Sequence, residues 1–238
     1  HAATPVDATV VQRALDAAAR RVRGMPMPYA TTRAAFRHLW LHVDPRVLIP
    51  RPETEGLVDR ALARLPHGGT VADVGTGSGA IAIALATERH DARVIATDLS
   101  PDALAVARLN AAAQRDAHAA SIEWRAGDLC APLAGEALDV LVANPPYVPL
   151  ASAASLDRGV RDWEPTLALF GGDDGTHVVA RLVREAPAVL RPGGWLLVEI
   201  DATGGRAALA ACEGGTWSSA SVEPDLFGRD RYLVARRG

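Results

Sequence analysis

Apolar residues at Val10, Val11, Ala14, Leu15, Ala18 and Val22 recur at helical spacing and predict an amphipathic helix over 10–23. Gly24 and the Pro26/Pro28 pair punctuate its end. Phe36–Val43 mixes aromatic, aliphatic and polar residues and reads as a strand or short hairpin. The apolar run Val47–Ile49 ends in Pro50-Arg51-Pro52-Glu53-Thr54-Glu55, where Thr54 is placed to cap a helix from Glu55 to Ala63. From Thr70 the period alternates. Short apolar runs at Val71–Val74, Arg93–Thr97, Ser121–Arg125, Leu138–Ala143, Trp195–Ile200, Trp217–Glu223 and Arg231–Ala235 predict strands. Helical patterns lie between them at Ala80–Glu88, at Pro101–Gln114 behind the cap Ser100, at Gly175–Leu190 before Pro192-Gly193-Gly194, and at Gly204–Cys212. Strands alternating with helices predict an α/β fold whose parallel sheet is covered on both faces. No internal repeat interrupts the pattern.

Composition narrows the classes. The chain has 238 residues, is 49% hydrophobic and 22% charged, and carries a formal net charge of -3. That supports one folded domain with at most a small appendage, and excludes disorder as the main state. A sequence pI near 6.2 gives no sign of a basic nucleic-acid binder. All 25 basic residues are arginine. No lysine can therefore act as a base, a Schiff-base nucleophile or a P-loop phosphate ligand. The two cysteines, Cys130 and Cys212, lie far apart without a CxxC, so neither a disulfide framework nor a structural zinc site is expected, and no metal. The apolar stretches around Ala80–Ala86 and Trp195–Ile200 are shorter than a membrane span. No signal peptide is visible, and a reducing cytoplasm is the expected location. The start at His1 rather than Met is compatible with native residues preceding it. Eight arginines through Arg51 face only three acids, Asp7, Asp16 and Asp44. A solvated helix face explains this more simply than a surface for an acidic partner.

Two motifs carry chemistry. Asp73-Val74-Gly75-Thr76-Gly77-Ser78-Gly79 follows a strand and opens a helix, so its glycines permit a tight turn and close approach of backbone N–H groups to a ligand. Asp98 ends the next strand, where a carboxylate can accept hydrogen bonds from both hydroxyls of a ribose. The spacing is GxGxG rather than the dinucleotide GxGxxG, and Asp73 beside the loop suits a cationic amino group better than a pyrophosphate. S-adenosylmethionine fits best; a nicotinamide or flavin nucleotide, or a purely structural turn, remains open at this point. A P-loop is excluded. The second motif, Asn144-Pro145-Pro146-Tyr147, closes the fourth strand. A planar amide or aryl-amine nitrogen is a poor nucleophile because its lone pair is delocalised. The Asn144 side-chain oxygen and the Pro145 carbonyl can hold its two N–H groups and aim it, the prolines make these acceptors rigid, and Tyr147 can pack on the flat group.

NPPY behind a glycine-rich turn resembles class I methyltransferases acting on adenine-N6, guanine-N2 or glutamine-N5. Leu48-Ile49-Pro50-Arg51-Pro52-Glu53-Thr54-Glu55 resembles the signature of the HemK/PrmC family, protein-(glutamine-N5) methyltransferases of peptide-chain release factors. So do Glu164–Leu169, the Gly171-Gly172-Asp173-Asp174-Gly175 segment, and Arg191–Ile200. The resemblance runs from about residue 26 to the C-terminus. It implies a Rossmann-like, doubly wound seven-stranded sheet with its last strand antiparallel over 47–238, preceded by a short helical and hairpin extension over 1–46. It further implies that Gly75, Thr76, Gly77, Ser78 and Gly79 contact S-adenosylmethionine alongside Asp73. Asp98 would meet its ribose, Asp128 and Leu129 its adenine, and Leu99 would also contact the cofactor. Asn144 would lie between cofactor and substrate; with Pro145, Pro146 and Tyr147 it would hold the glutamine amide, and Arg51, Pro52, Glu53 and Thr54 would border that pocket. The product would be S-adenosylhomocysteine, the partner a release factor, the protein a monomer, with no membrane and no nucleic acid as direct substrate. Three departures point to a shortened or divergent member. The residues before Leu48 are fewer than the longer N-terminal helical domain that family members usually carry. Pro28–Arg33 lacks the family's glycine, and the late strand ends Glu199-Ile200-Asp201 rather than Glu-Ile-Gly. A small-molecule carboxamide, a nucleic-acid base and a non-catalytic cofactor-binding module are the rival readings.

Overall fold

The computed structural model describes residues 7–114 and 116–238. Helix α1 (Ala8–Val22) is capped by Asp7, whose carboxylate accepts the Thr9 N–H at 2.7 Å. Pro28 does more than end it. The chain restarts as a short helix α2 (Met27–Thr31), where a proline in the first turn loses no hydrogen bond. The expected hairpin follows, slightly earlier than predicted, as β1 (Arg33–Phe36) and β2 (Leu39–His42). Helix α3 spans Pro52–Arg64, so Thr54 is not its cap. Pro52 occupies the first helical position and Arg51 precedes it without a side-chain cap bond. The helix thus starts at the proline, leaving the Thr54 hydroxyl free for another partner.

The alternating region gives β3 (Thr70–Val74), α4 (Ala80–Glu88), β4 (Arg93–Asp98), α5 (Pro101–Ala113), α6 (Ala117–Ala120), β5 (Glu123–Ala126) and β6 (Leu138–Ala143). After a long loop carrying α7 (Arg158–Arg161) and α8 (Thr166–Leu169) come α9 (His177–Glu185), β7 (Leu190–Glu199), α10 (Gly205–Ala211), β8 (Trp217–Pro224) and β9 (Asp230–Arg237). The helix expected over Gly175–Leu190 is shorter at both ends. Pro187 cannot continue it and sits in a 3₁₀ turn, and Arg191–Gly194 already belongs to β7 rather than to a stop signal.

The seven strands run in the order β5-β4-β3-β6-β7-β9-β8. The first five are parallel, and β9 is antiparallel to both its neighbours. The chain winds outward from β3 to β5, then crosses back to β6. The direction of winding reverses between β3 and β6, and such a switch point opens a crevice at the carboxyl ends of the strands.

Strand side chains alternate between two cores. Val71, Val140, Val142 and Leu197 meet Leu57, Val58 and Ala61 of α3 and the apolar faces of α4. Ala72, Leu141, Leu196 and Val198 meet Val179, Leu182 and Val183 of α9 and Ala208 of α10. Every residue of α4 from Ala80 to Ala86 is buried. Its outer side is covered by Phe36, Leu39 and Leu41 of the hairpin, which explains a helix apolar all round. A third cluster joins Tyr29, Ala34, Val43, Val47 and Ile49 to Ala103 and Val106 of α5, bringing the segment before α3 to the mouth of the crevice.

Candidate active site

The turn after β3 is held from both sides. The Gly75 and Thr76 N–H groups donate to the Thr97 carbonyl at 2.9 Å, and the Gly77 N–H donates to Asp98 Oδ2 at 2.8 Å. Gly75, Gly77 and Gly79 have φ of 75°, 55° and 84°, a region that disfavours side chains. Their surroundings differ. A Cβ on Gly75 or Gly77 would meet no protein atom within 4 Å, so these two face open space. One on Gly79 would lie 3.0 Å from Ile83 Cδ1 and 3.2 Å from Ala107 Cβ, so this glycine serves the packing of α4 on α5. Asp73 lies beneath the turn, fully buried. Its Oδ2 accepts from Thr76 Oγ1 at 2.6 Å and from the Ala82 N–H at 3.2 Å, while Oδ1 has no partner. Burial pushes its carboxyl up to about 7. Asp98 is also raised by burial, against the pull of the backbone N–H groups of Ser100 and Gly77. Its Oδ1 accepts from Ser100 at 2.8 Å, so each carboxylate oxygen keeps acceptor capacity for a hydroxyl.

Space opens above the turn in a cavity of about 370 Å³, a volume typical of cofactor sites. Gly75, Thr76, Gly77, Ser78, Asp98, Leu99, Asp128, Leu129, Asn144, Pro146, Arg51 and Thr54 line it. The chemistry of this wall fits S-adenosylmethionine: backbone amides beside a side-chain-free surface, a carboxylate at the end of the second parallel strand, and apolar Leu99 and Leu129 beside it. Asp128 is paired with Arg181 at 2.8 Å, and Arg181 also reaches the wall.

Six residues named from the sequence lie off that wall. Asp73 and Gly79 form the base of the turn, and Pro145 is buried behind Asn144. The Tyr147 hydroxyl donates to Glu199 Oε1 at 3.2 Å, and its ring faces a second cavity of about 170 Å³. Pro52 is exposed at the helix start, and Glu53 turns outward to Arg229 at 3.2 Å. The charges of the Arg51–Glu55 segment are largely spent on structure. Arg51 pairs with the buried Glu164 at 2.6 Å, and Glu55 accepts the Arg37 N–H at 2.8 Å.

The Asn144 loop is clamped by glycines. A Cβ on Gly171 would lie 2.5 Å from the Pro146 carbonyl oxygen, and one on Gly175 would collide with that of Tyr147. Val148 N–H donates to Leu169 O at 2.9 Å, and Gly171 N–H donates to Val148 O at 3.0 Å. The Gly-Gly-Asp-Asp-Gly segment is thus the backing of the NPPY loop. Phe36, Val47, Leu48, Leu167 and Phe170 also line the main cavity; Leu48 and Leu167 fall in segments that resemble the family, but no pattern marked any of the five as a site residue. They reach it only through tertiary packing. Away from the cavity, His90, Asp116 and His118 bring three possible ligand atoms within 4.8 Å of one another, with the two imidazoles stacked at 4.1 Å. Among the described residues no helix is long and apolar enough to cross a membrane.

The strand order, with β9 alone reversed, and the glycine turn at the switch point place the chain among class I S-adenosylmethionine-dependent methyltransferases. The family model for the Methyltransferase small domain matches residues 54–155. The chain is 46% identical over 221 residues to the release factor glutamine methyltransferase of Moorella thermoacetica, covering 92% of this chain and 77% of that protein. It is 44% identical over 236 residues to the enzyme of the same name from Cereibacter sphaeroides, covering 99% and 83%. The chain belongs to the release factor glutamine methyltransferase family. Solved structures share the fold. A Pyrococcus furiosus methyltransferase superposes with a TM-score of 0.62 at 18% identity, covering 98% of this chain and all of that one (100%). The hMettl16 catalytic domain does so with a TM-score of 0.65 at 15% identity, covering 83% and 74%.

Proposed function

We propose that this protein methylates the side-chain amide nitrogen, N5, of a glutamine in a peptide-chain release factor, using S-adenosylmethionine. One observation carries the amide assignment. Asn144 lies on the wall of the cofactor cavity at the end of β6, with its Nδ2 engaged by Thr54 at 3.0 Å and its Oδ1 accepting no hydrogen bond from a described residue. An unengaged carboxamide oxygen there accepts an N–H from an incoming amide. The Pro145 carbonyl supplies the second acceptor, and the two together hold an NH₂ group in a fixed plane.

In this reading the turn from Gly75 to Ser78 and the Asp98 carboxylate hold the cofactor, with Leu99, Asp128 and Leu129 along its nucleoside. S-adenosylmethionine supplies a methyl group on a positively charged sulfur and leaves as S-adenosylhomocysteine. The protein's own part is orientation. Asn144 and Pro145 aim the amide nitrogen, Pro145 and Pro146 stiffen the loop, and the Gly171–Gly175 segment holds it from behind. As the N–C bond forms the S–C bond would break, leaving the amide nitrogen cationic and strongly acidic; its proton then passes to solvent water, so no strong base is needed. Arg51 and Thr54 border the substrate side. We place the reaction in the cytoplasm, in a monomer built from a short extension over 1–46 and a methyltransferase domain over 47–238.

The test compares purified release factor, tRNA and rRNA, DNA, and a mixture of carboxamide metabolites as methyl acceptors, with mass spectrometry to locate the added methyl. Methylation of a release-factor glutamine alone is expected; transfer to a nucleic-acid base or small carboxamide in its place overturns the substrate assignment. Asn144→Ala should lose turnover by about 100-fold or more while cofactor affinity stays within about threefold. Full activity in that variant would remove the amide clamp from the mechanism.

A further inference from the structure

Glu199 is a buried carboxylate that the reading above leaves unused. It ends β7 at 1% exposure, and it accepts two hydrogen bonds, from Thr54 Oγ1 at 2.7 Å on Oε2 and from the Tyr147 hydroxyl at 3.2 Å on Oε1. Thr54, itself 5% exposed, is also the partner of Asn144 Nδ2 at 3.0 Å. Three elements therefore meet in one chain of hydrogen bonds: the first turn of α3, the end of β7 and the loop after β6.

The polarity of that chain is fixed by its end. A hydroxyl has a single proton. Burial raises the Glu199 carboxyl, while the Thr54 and Tyr147 hydroxyls and the nearby Arg231 pull it back toward ionisation; in the ionised form, with a hydroxyl on each oxygen, it can only accept. The Thr54 proton therefore goes to Glu199, and toward Asn144 the Thr54 oxygen can only receive. Nδ2 must then face Thr54, and Oδ1 is left pointing away from it. A carboxamide with nothing to tell its two ends apart would present an N–H to the substrate amide in half its orientations, donor against donor. We infer that Thr54 and Glu199 are positioning residues, a relay that sets which way round the Asn144 carboxamide sits so that its oxygen faces the substrate. The consequence for turnover rests on the amide-methylation reading above; the orientation itself does not. The relay also gives Thr54, buried within the first turn of α3 where a cap was expected, a reason to be a hydroxyl residue.

The sequence supplies a clean probe. The chain has only two asparagines, Asn110 and Asn144. Asparagine labelled with ¹⁵N in the side chain thus gives two amide resonance pairs. Asn110 is an internal reference, because its Nδ2 donates to the carbonyls of His42 at 3.0 Å and Ser78 at 2.9 Å, away from the relay. In Thr54→Val the Asn144 pair should shift and lose protection from hydrogen exchange while the Asn110 pair stays in place. Turnover should fall roughly tenfold or more with cofactor affinity within about twofold. Thr54→Ser, which restores the hydroxyl, should recover both signals. Glu199→Gln keeps the shape but can offer either end to Thr54, so the Asn144 pair should broaden or split. An Asn144 pair unmoved in Thr54→Val, or an Asn144 shift with undiminished turnover on release factor, overturns the relay. If the wild-type chain methylates no release factor yet its Asn144 pair responds to Thr54→Val, the orientation is upheld and the substrate assignment has failed.

Discussion

Asp73 lies wholly buried beneath the glycine turn with one carboxylate oxygen unpartnered, so its ionised form is costly in the folded state. An unfolded chain releases this proton near the ordinary 3.8, whereas the folded protein keeps it up to about 7. Between those values the native state binds more protons than the unfolded state, so this group's contribution to stability falls as pH rises across the window and is level above it. Arginine-paired carboxylates act in the opposite sense; Glu136, for example, is held down to about 2 by Arg93 and Arg125. Comparison with Asp73→Asn cancels them. The difference in melting temperature, wild type minus variant, should decline from about pH 4 to about pH 7, and a flat difference would contradict the buried charge. Asp98 is raised by burial too, but both its oxygens are engaged, by the Gly77 and Ser100 N–H groups, and it lines the cavity. Asp98→Ala should weaken cofactor binding by about 1–3 kcal/mol, measured calorimetrically, and unchanged affinity would remove its ribose role. At this scale the sequence was informative wherever a motif is local. Gly75 to Ser78, Asp98 and Asn144 were named from motifs, Leu99, Asp128 and Leu129 from the family resemblance, and all lie on one cavity wall. The direction of a side chain was not legible. Tyr147 and Glu53 were named beside these residues, yet one turns to Glu199 and the other to Arg229.

Elements were read from periodicity, and their errors have local causes. Proline position decided the start of α3 and the end of α9, against the competing cap at Thr54 and the apolar pattern running on to Leu190. Glycine spacing alone could not show that Gly171 and Gly175 back the Asn144 loop, because close approach between two backbones is a tertiary fact. That contact makes its own prediction. In Gly171→Ala the new methyl would sit 2.5 Å from the Pro146 carbonyl oxygen, and backbone on both sides leaves it little room to relax. Stability should fall by about 1–3 kcal/mol, as for other overpacked sites, with turnover falling alongside because the loop is displaced. Denaturant unfolding and turnover on the same variant check both. A variant as stable and as active as the wild type would mean that the loop adjusts freely.

Across the whole molecule, the alternation of strands and helices is enough to imply a covered parallel sheet, but not the order of its strands. Hydrophobic period specifies which face of a strand is buried and is silent on which strand lies beside it; the order came from family resemblance. The same gap separates the two amphipathic features of the N-terminal region. The stripe on α1 reads from sequence like any core-facing helix, yet the helix has no buried residue, and Leu15 and Val22 are 59% and 88% exposed. The hairpin behind it, with a weaker pattern, is the part that packs, through Phe36, Leu39 and Leu41. Of the eight arginines through Arg51, three are ion-paired, Arg37 to Glu88 and Asp59, Arg46 to Asp44 and Arg51 to Glu164. Arg13, Arg21 and Arg23 lie exposed on or just after α1, as a solvated helix face requires. Burial therefore predicts that the larger of two changes is the milder. Deleting the chain through residue 18 removes no buried residue among those described and should leave the melting temperature within about 3 °C, since about 1 kcal/mol shifts a chain of this size by roughly that much. Cofactor affinity should be untouched. Replacing Phe36, which is 1% exposed against α4 and on the cavity wall, by Ala should cost about 3–5 kcal/mol and weaken cofactor binding with it. Melting curves and calorimetry on the two variants decide the matter. A deletion as damaging as Phe36→Ala would place α1 among the elements that hold the domain together.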